Sequence, residues 1–99
     1  NIIYGKWTHI ALVRNSGALN LYINGALDST FSGSFNIYSN NNTWYLGGDG
    51  SNTALSYLSG LISNFRVTYG AVYTGNFTVP STALATTQSS GTNIAAISG

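Results

Sequence analysis

The dipeptide Asn24-Gly25 constrains the fold of this chain most, because it separates two segments that read as strands. Apolar and polar residues alternate along 18–24 (ALNLYIN), which is the pattern of a strand with one covered face. Asn-Gly favours a type I′ turn, since both central residues of that turn need positive φ angles. The segment 26–31 (ALDSTF) would then return antiparallel, so we predict a β-hairpin. Leucine and isoleucine would face inward (Leu19, Leu21 and Ile23), and the alternate positions outward (Asn20, Tyr22 and Asn24).

Further short strands are predicted on both sides of this hairpin. They are 7–14 (WTHIALVR), 35–38 (FNIY), 43–47 (TWYLG) and a longer one at 58–68, whose apolar positions change phase between Ile62 and Phe65. Turn residues separate the segments, and no stretch has an amphipathic helical period. Short strands divided by turns are typical of a sandwich or jelly roll. Three aromatic residues are expected in its core: Trp7, Phe65 and Phe77.

The composition supports a folded β domain and excludes several partners. Charged residues make up only 5% of the chain against about 25% in typical globular proteins, but 13% aromatic residues supply apolar area to bury. A net charge of +1 leaves no basic patch, so we expect no nucleic-acid partner. Without cysteine there is no disulfide or thiolate zinc site. No apolar run approaches the roughly 20 residues of a membrane span.

Several stretches, in this order, resemble laminin-G-like domains of the concanavalin A-like lectin/glucanase superfamily. Such domains occur in phage and viral structural proteins and in bacterial extracellular proteins. The matching stretches are 7–14, 19–25 (LNLYING), 44–50 (WYLGGDG), 60–68 (GLISNFRVT) and 71–80 (AVYTGNFTVP). The resemblance implies an all-β, antiparallel β-sandwich (jelly roll) in a single domain over 1–99. It begins near the middle of such a domain, so we expect a partial, C-terminal portion. Residues 81–99 would form an extended tail or edge strand, anchored by Ile94 and Ile97.

Catalysis is not expected. Glycosidases need two carboxylates, about 5 Å apart in retaining enzymes. This chain has no glutamate, and its two aspartates, Asp28 and Asp49, lie in separate predicted segments. The single histidine, His9, sits within a predicted strand without a nucleophile elbow, so it reads as a structural residue that hydrogen-bonds within the sheet. Arg14 and Arg66, also on predicted strands, would pair with an aspartate or bond a carbonyl.

One calcium ion is the cofactor that the resemblance allows, because many laminin-G-like domains hold calcium at a loop rim. Calcium takes about six to eight oxygen ligands. Asp49, in the loop 47–53 (GGDGSNT), is the best candidate ligand, with backbone carbonyls or Asn52 beside it. Stabilisation of a glycine turn is the alternative role for this aspartate.

Sugar recognition is the best-supported activity among those considered. Sugars bind to aromatic faces, with amide side chains reading their hydroxyls, and loop tips of a sandwich are usual places for binding. The candidate residues are Tyr38, Asn40, Asn42, Trp44, Asn52, Tyr57, Tyr69 and Tyr73. We therefore expect a non-catalytic adhesion or decoration module, extracellular or on a virion surface. Its partners would be glycans or cell-surface polysaccharide, together with proteins of a larger assembly. The alternative is a purely structural packing module without a small-molecule ligand.

Overall fold

A computed structural model of the chain describes residues 2–33, 43, 45–48 and 57–98. Strands β1 (Ile10–Asn15), β2 (Ala18–Ile23) and β3 (Ala26–Ser32) form an antiparallel sheet in the order β1-β2-β3. The described part of the chain contains no helix, and so none long and apolar enough to cross a membrane. The prediction of an all-β, antiparallel structure is confirmed for this part. The predicted strand 35–38 and most of 43–47 lie outside the described residues.

The turn between β2 and β3 has the predicted type I′ character. Asn24 and Gly25 adopt φ angles of 50° and 82°, both in the left-handed region that this turn requires. Asn24 also closes the end of the sheet, because its backbone N–H donates to the His9 carbonyl at 2.8 Å. Its side-chain Oδ1 accepts from the His9 N–H at 2.9 Å. The predicted hairpin is therefore confirmed, and β1 begins at Ile10, three residues later than expected.

A β-bulge interrupts the pairing of β2 with β3. Leu21 lies opposite Ser29, whereas the next residue, Tyr22, lies opposite Leu27. Asp28 is thus the extra residue of β3, and its exposed carboxylate accepts a hydrogen bond from Ser29 Oγ at 2.8 Å. Asp28 is therefore a solvent-exposed residue of the strand. A bulge of this kind increases the local twist of a sheet.

The core lies on the opposite face of the hairpin from the one predicted. Tyr22, predicted to face outward, is only 1% exposed, and it forms the core with Val13 and with three residues far along the chain, Val72, Tyr73 and Phe77. Leu19, Leu21 and Ile23, predicted to face inward, are only half-buried. Alternation correctly separated the two faces, but the segment 72–77 covers the tyrosine face.

The predicted strand 58–68 is not formed. No described residue pairs with it in a ladder, and a strand without a neighbour leaves its backbone groups to water. Asn64, within the predicted change of phase, has a φ of 56°, which breaks an extended backbone. Phe65 and Trp7, both expected in the core, are exposed, whereas the third expected aromatic residue, Phe77, is buried.

The C-terminal segment packs back against the core. Ile94 and Ile97 pack against the buried cluster, which confirms them as anchors. Isolated bridges pair Tyr73 with Ile94 and Gln88 with Ile97. The Asn93 side chain donates to the Asn76 carbonyl at 2.7 Å, and Asn76 Oδ1 accepts from the Leu27 N–H of β3 at 2.9 Å. These two bonds link the C-terminal segment to the hairpin through the loop that carries Phe77.

Candidate functional site

Four aromatic rings meet where β1 and β2 face the loop 72–77. Tyr73 and Phe77 stack almost in parallel, with ring centroids 3.7 Å apart. Tyr22 meets the Phe77 ring edge-on at 5.6 Å, and His9 meets the same ring edge-on at 5.6 Å. The edge-on contacts align the positive ring edge with the negative ring face, and each is worth about 0.5–1.5 kcal/mol. This aromatic cluster joins the sheet to the loop 72–77.

Two polar atoms of this cluster lack hydrogen-bond partners among the described residues, His9 Nδ1 and Tyr73 Oη. His9 hydrogen-bonds to Asn24 through its backbone, which agrees with the prediction of a structural residue that hydrogen-bonds within the sheet, and its ring packs against aromatic neighbours. Burial lowers the pKa of His9, and the nearby positive charge of Arg66 lowers that pKa further. Both causes favour the neutral imidazole, which is the less costly form to bury among aromatic rings.

Most predicted site residues lie outside the described part of the chain. They are Tyr38, Asn40, Asn42, Trp44, Asn52 and the candidate calcium ligand Asp49. Tyr57 is exposed, Tyr69 is fully exposed, and Tyr73 is buried in the aromatic cluster. Ligand contact by any of these residues stays a prediction. In the described part of the chain, no three His, Cys, Asp or Glu side chains form a group that could hold a metal ion.

Tyr69 stands at a hollow that the C-terminal segment helps to form. Residues 68–72 line one side and residues 95–98 the other, around a volume of about 180 Å³. The backbone N–H of Ala95 donates to the Val72 carbonyl at 2.7 Å, which ties the two sides together. Gly70, beside the tyrosine, has a φ of 137°, a conformation that other residues rarely adopt. The hollow therefore places an exposed ring next to backbone amides and small side chains.

A larger open cleft of about 290 Å³ lies beside Arg66. The guanidinium is held from one side, because its Nη1 donates to the Ala85 carbonyl at 3.1 Å and to Gln88 Oε1 at 3.2 Å. The prediction that Arg66 bonds a carbonyl is confirmed, although the residue does not lie on a strand. Hydroxyl side chains surround the cleft (Thr78, Thr82, Thr87, Ser89 and Ser90), and Tyr73, Pro80, Leu84 and Ile94 supply apolar lining.

Sequence reasoning missed this cleft. Its hydroxyl residues come from a segment that lacks both charge and aromatic residues, and their spacing follows no recognisable pattern. The one available signal was Arg66, since a chain with so few charges has few places to hold an anion. What the sequence could not show is that 78–91 folds back to face that arginine.

The family comparison agrees with this architecture. A family model of laminin-G type, described as the concanavalin A-like lectin/glucanases superfamily, matches residues 1–76. The chain belongs to this superfamily. The match includes the whole three-stranded sheet and stops one residue before Phe77. The family predicted from the sequence is therefore confirmed. Neither the curated proteins nor the solved structures contain a match to the chain.

Membership narrows the function to a broad class. Laminin-G-like domains of the concanavalin A-like superfamily are typically non-catalytic lectin-like or structural modules, although some superfamily members are glycosidases. The absence of glutamate from the sequence is consistent with the non-catalytic class. The cleft beside Arg66 is built mostly from residues beyond 76, outside the region that the superfamily model matches.

Proposed function

We propose that this superfamily member is a non-catalytic adhesion or decoration module of a virion or extracellular assembly, and that its sheet is part of a jelly-roll sandwich. The observation that carries the proposal is the sheet face opposite Tyr22. Register pairs Ile10 with Ile23 and Leu12 with Leu21 on that face. Leu19 and Phe31 form a third pair there. A face built from three apolar pairs is suited to burial against another protein layer.

Much of this apolar face is open to solvent. Ile10, Leu12 and Phe31 each expose more than half of their surface. Soluble monomers rarely expose contiguous apolar patches above a few hundred Å², and larger patches usually mark interaction sites. Burial of such side chains yields about 25 cal/mol per Å² of apolar area removed from water. This gain supports a role in assembly and suits a protein partner.

Association of the full chain tests the assembly proposal. We expect the native protein to associate in a concentration-dependent way, measured by sedimentation velocity alone and with candidate assembly proteins. Leu12→Glu should abolish the association, because it places a charge in the centre of the apolar face. Leu61→Glu is the matched control, since Leu61 is 82% exposed and does not lie on the sheet. Equal behaviour of the two variants, or no association at any concentration, would contradict the proposal.

Sugar binding is a second candidate function, and the exposed Tyr69 ring beside its hollow favours it. A tyrosine face without neighbours can stack on the C–H surface of a sugar, while nearby amides bond the hydroxyls. A glycan array of the full chain, with and without calcium, should show binding that Tyr69→Ala removes. Tyr4→Ala is the matched control, because Tyr4 is equally exposed. Equal loss in both tyrosine variants would contradict a site at Tyr69.

The same glycan array tests the candidate calcium ligand. Binding that needs calcium and is lost in Asp49→Asn would support a metal at Asp49.

A further inference from the structure

The cleft beside Arg66 has the chemistry of a site for a small anion that also carries hydroxyl groups. Its volume of about 290 Å³ lies at the lower limit of small-molecule sites, roughly 300 Å³, and suits a ligand the size of one sugar ring. It shares no lining residue with the hollow at Tyr69 or with the apolar sheet face. A ligand here would therefore be independent of both proposed functions.

The charge of the cleft comes from Arg66 alone. None of its lining residues is acidic. Both hydrogen bonds that this guanidinium donates to described residues come from Nη1. The N–H groups of Nε and Nη2 are therefore available to donate to a ligand. Two adjacent N–H groups of a guanidinium can bind both oxygens of one carboxylate. Because Gln88 and Ala85 already fix the plane of the group, less side-chain entropy would be lost on binding.

The rest of the lining favours a ligand with hydroxyl groups. Five threonine and serine side chains can both donate and accept hydrogen bonds. Leu84, Pro80 and Ile94 add an apolar surface against which the C–H bonds of a ring can pack. A bare inorganic anion would bind the arginine but make no contact with this apolar surface. A neutral sugar could accept from the guanidinium only through hydroxyl or ring oxygens, which lack the charge and the paired geometry of a carboxylate.

We propose that this cleft binds a small sugar acid, with its carboxylate on Arg66 and its hydroxyls among the threonine and serine side chains. Glucuronate is the probe, because it differs from glucose only by the carboxylate that replaces one hydroxymethyl group. Acetate is the second comparison, since it offers the carboxylate alone. Chelator is present throughout, so that a calcium-mediated contact elsewhere cannot account for binding.

Two-dimensional NMR titration of the full chain measures the affinities and locates the site. We expect glucuronate to shift resonances of residues 78–91 and to bind at least about tenfold more tightly than glucose or acetate, which corresponds to about 1.4 kcal/mol. Arg66→Gln should weaken glucuronate about tenfold or more and leave the weak binding of glucose unchanged. Arg14→Gln, which removes the same charge at a residue outside the cleft, should bind like the native chain.

A second variant keeps the proposal testable if Arg66→Gln does not fold. Arg66→Lys retains the charge but loses the paired N–H groups, so it should also weaken glucuronate binding. The proposal is overturned if acetate binds as tightly as glucuronate, or if Arg14→Gln weakens binding as much as Arg66→Gln. Resonance shifts confined to residues outside 78–91 would overturn it too. Because the cleft shares no residue with the Tyr69 hollow, a negative result here leaves the glycan-array outcome untouched.

Discussion

Replacement of Gly25 by alanine tests whether the hairpin docks on the Phe77 loop as described. Gly25 has a φ of 82°, and its carbonyl accepts a hydrogen bond from the Phe77 N–H at 2.9 Å. A Cβ on this residue would overlap the Phe77 carbonyl oxygen and lie 3.2 Å from its carbonyl carbon. Side chain and loop cannot occupy the same space, so the turn and the Phe77 loop must separate.

Three contributions give the size of the effect. An L-residue in the left-handed region costs about 1–2 kcal/mol. Loss of the hydrogen bond between Gly25 and Phe77 costs about 1 kcal/mol. Displacement of the packed loop costs about 1–3 kcal/mol, as other overpacked sites do. The free energy of unfolding should therefore fall by about 3–6 kcal/mol, a large share of the roughly 5–15 kcal/mol typical of small domains.

Gly5→Ala separates the backbone contribution from the steric one. Gly5 has a similar φ of 73°, but a Cβ there would meet no atom within 4 Å. This control should lose only the backbone contribution, about 1–2 kcal/mol. Urea unfolding followed by tryptophan fluorescence gives both values. If the two variants differ by less than about 0.5 kcal/mol, the limit of additivity for independent sites, then the close approach of Gly25 to Phe77 is refuted.

Two further predictions concern the aromatic cluster. Burial and Arg66 lower the pKa of His9, so the unfolded chain binds the proton more readily below about pH 6.5. Stability should be complete above that pH and fall as the pH decreases. His9→Phe should remove this part of the pH dependence of the urea midpoint, and an unchanged profile would contradict the explanation. Tyr73→Ala should lower stability by about 3–5 kcal/mol, as for other buried aromatic residues, whereas thermal unfolding of Tyr69→Ala should match the native protein within about 0.5 kcal/mol.

Local features of the fold were predictable, because they depend on neighbouring residues. Asn24-Gly25 satisfies the two positive φ angles of its turn with residues that tolerate them. The strand segments on either side alternate with a period of two, so the separation of their two faces follows from the sequence. The bulge at Asp28, which shifts the register of β2 with β3, had no such local signal. The superfamily was also predictable from the sequence, because its matching segments are short and occur in the expected order.

The candidate site was predictable only in part. The exposure of Tyr69 could be predicted from its place in an irregular loop, because an exposed side chain does not depend on a distant segment packing against it. The neighbouring choice, Tyr73, could not be separated from it, because both tyrosines have similar local sequences. What distinguishes them is the stacking of Tyr73 on Phe77 and its bridge to Ile94. The cleft at Arg66 needed the fold of 78–91 and had no sequence signal of its own.

The sequence alone determined that this chain forms β-hairpin structure with two unlike faces, since alternation and turn chemistry are local. Only the tertiary structure decided which face is covered. Leu19, Leu21 and Ile23 form the more apolar face, yet Tyr22 is the most deeply buried residue of the hairpin. The reason is that burial depends on what packs against a face: Val72, Tyr73 and Phe77 arrive on the tyrosine side from some fifty residues along the chain. On the opposite face, Ile10, Leu12 and Phe31 stay exposed because no described segment packs over them.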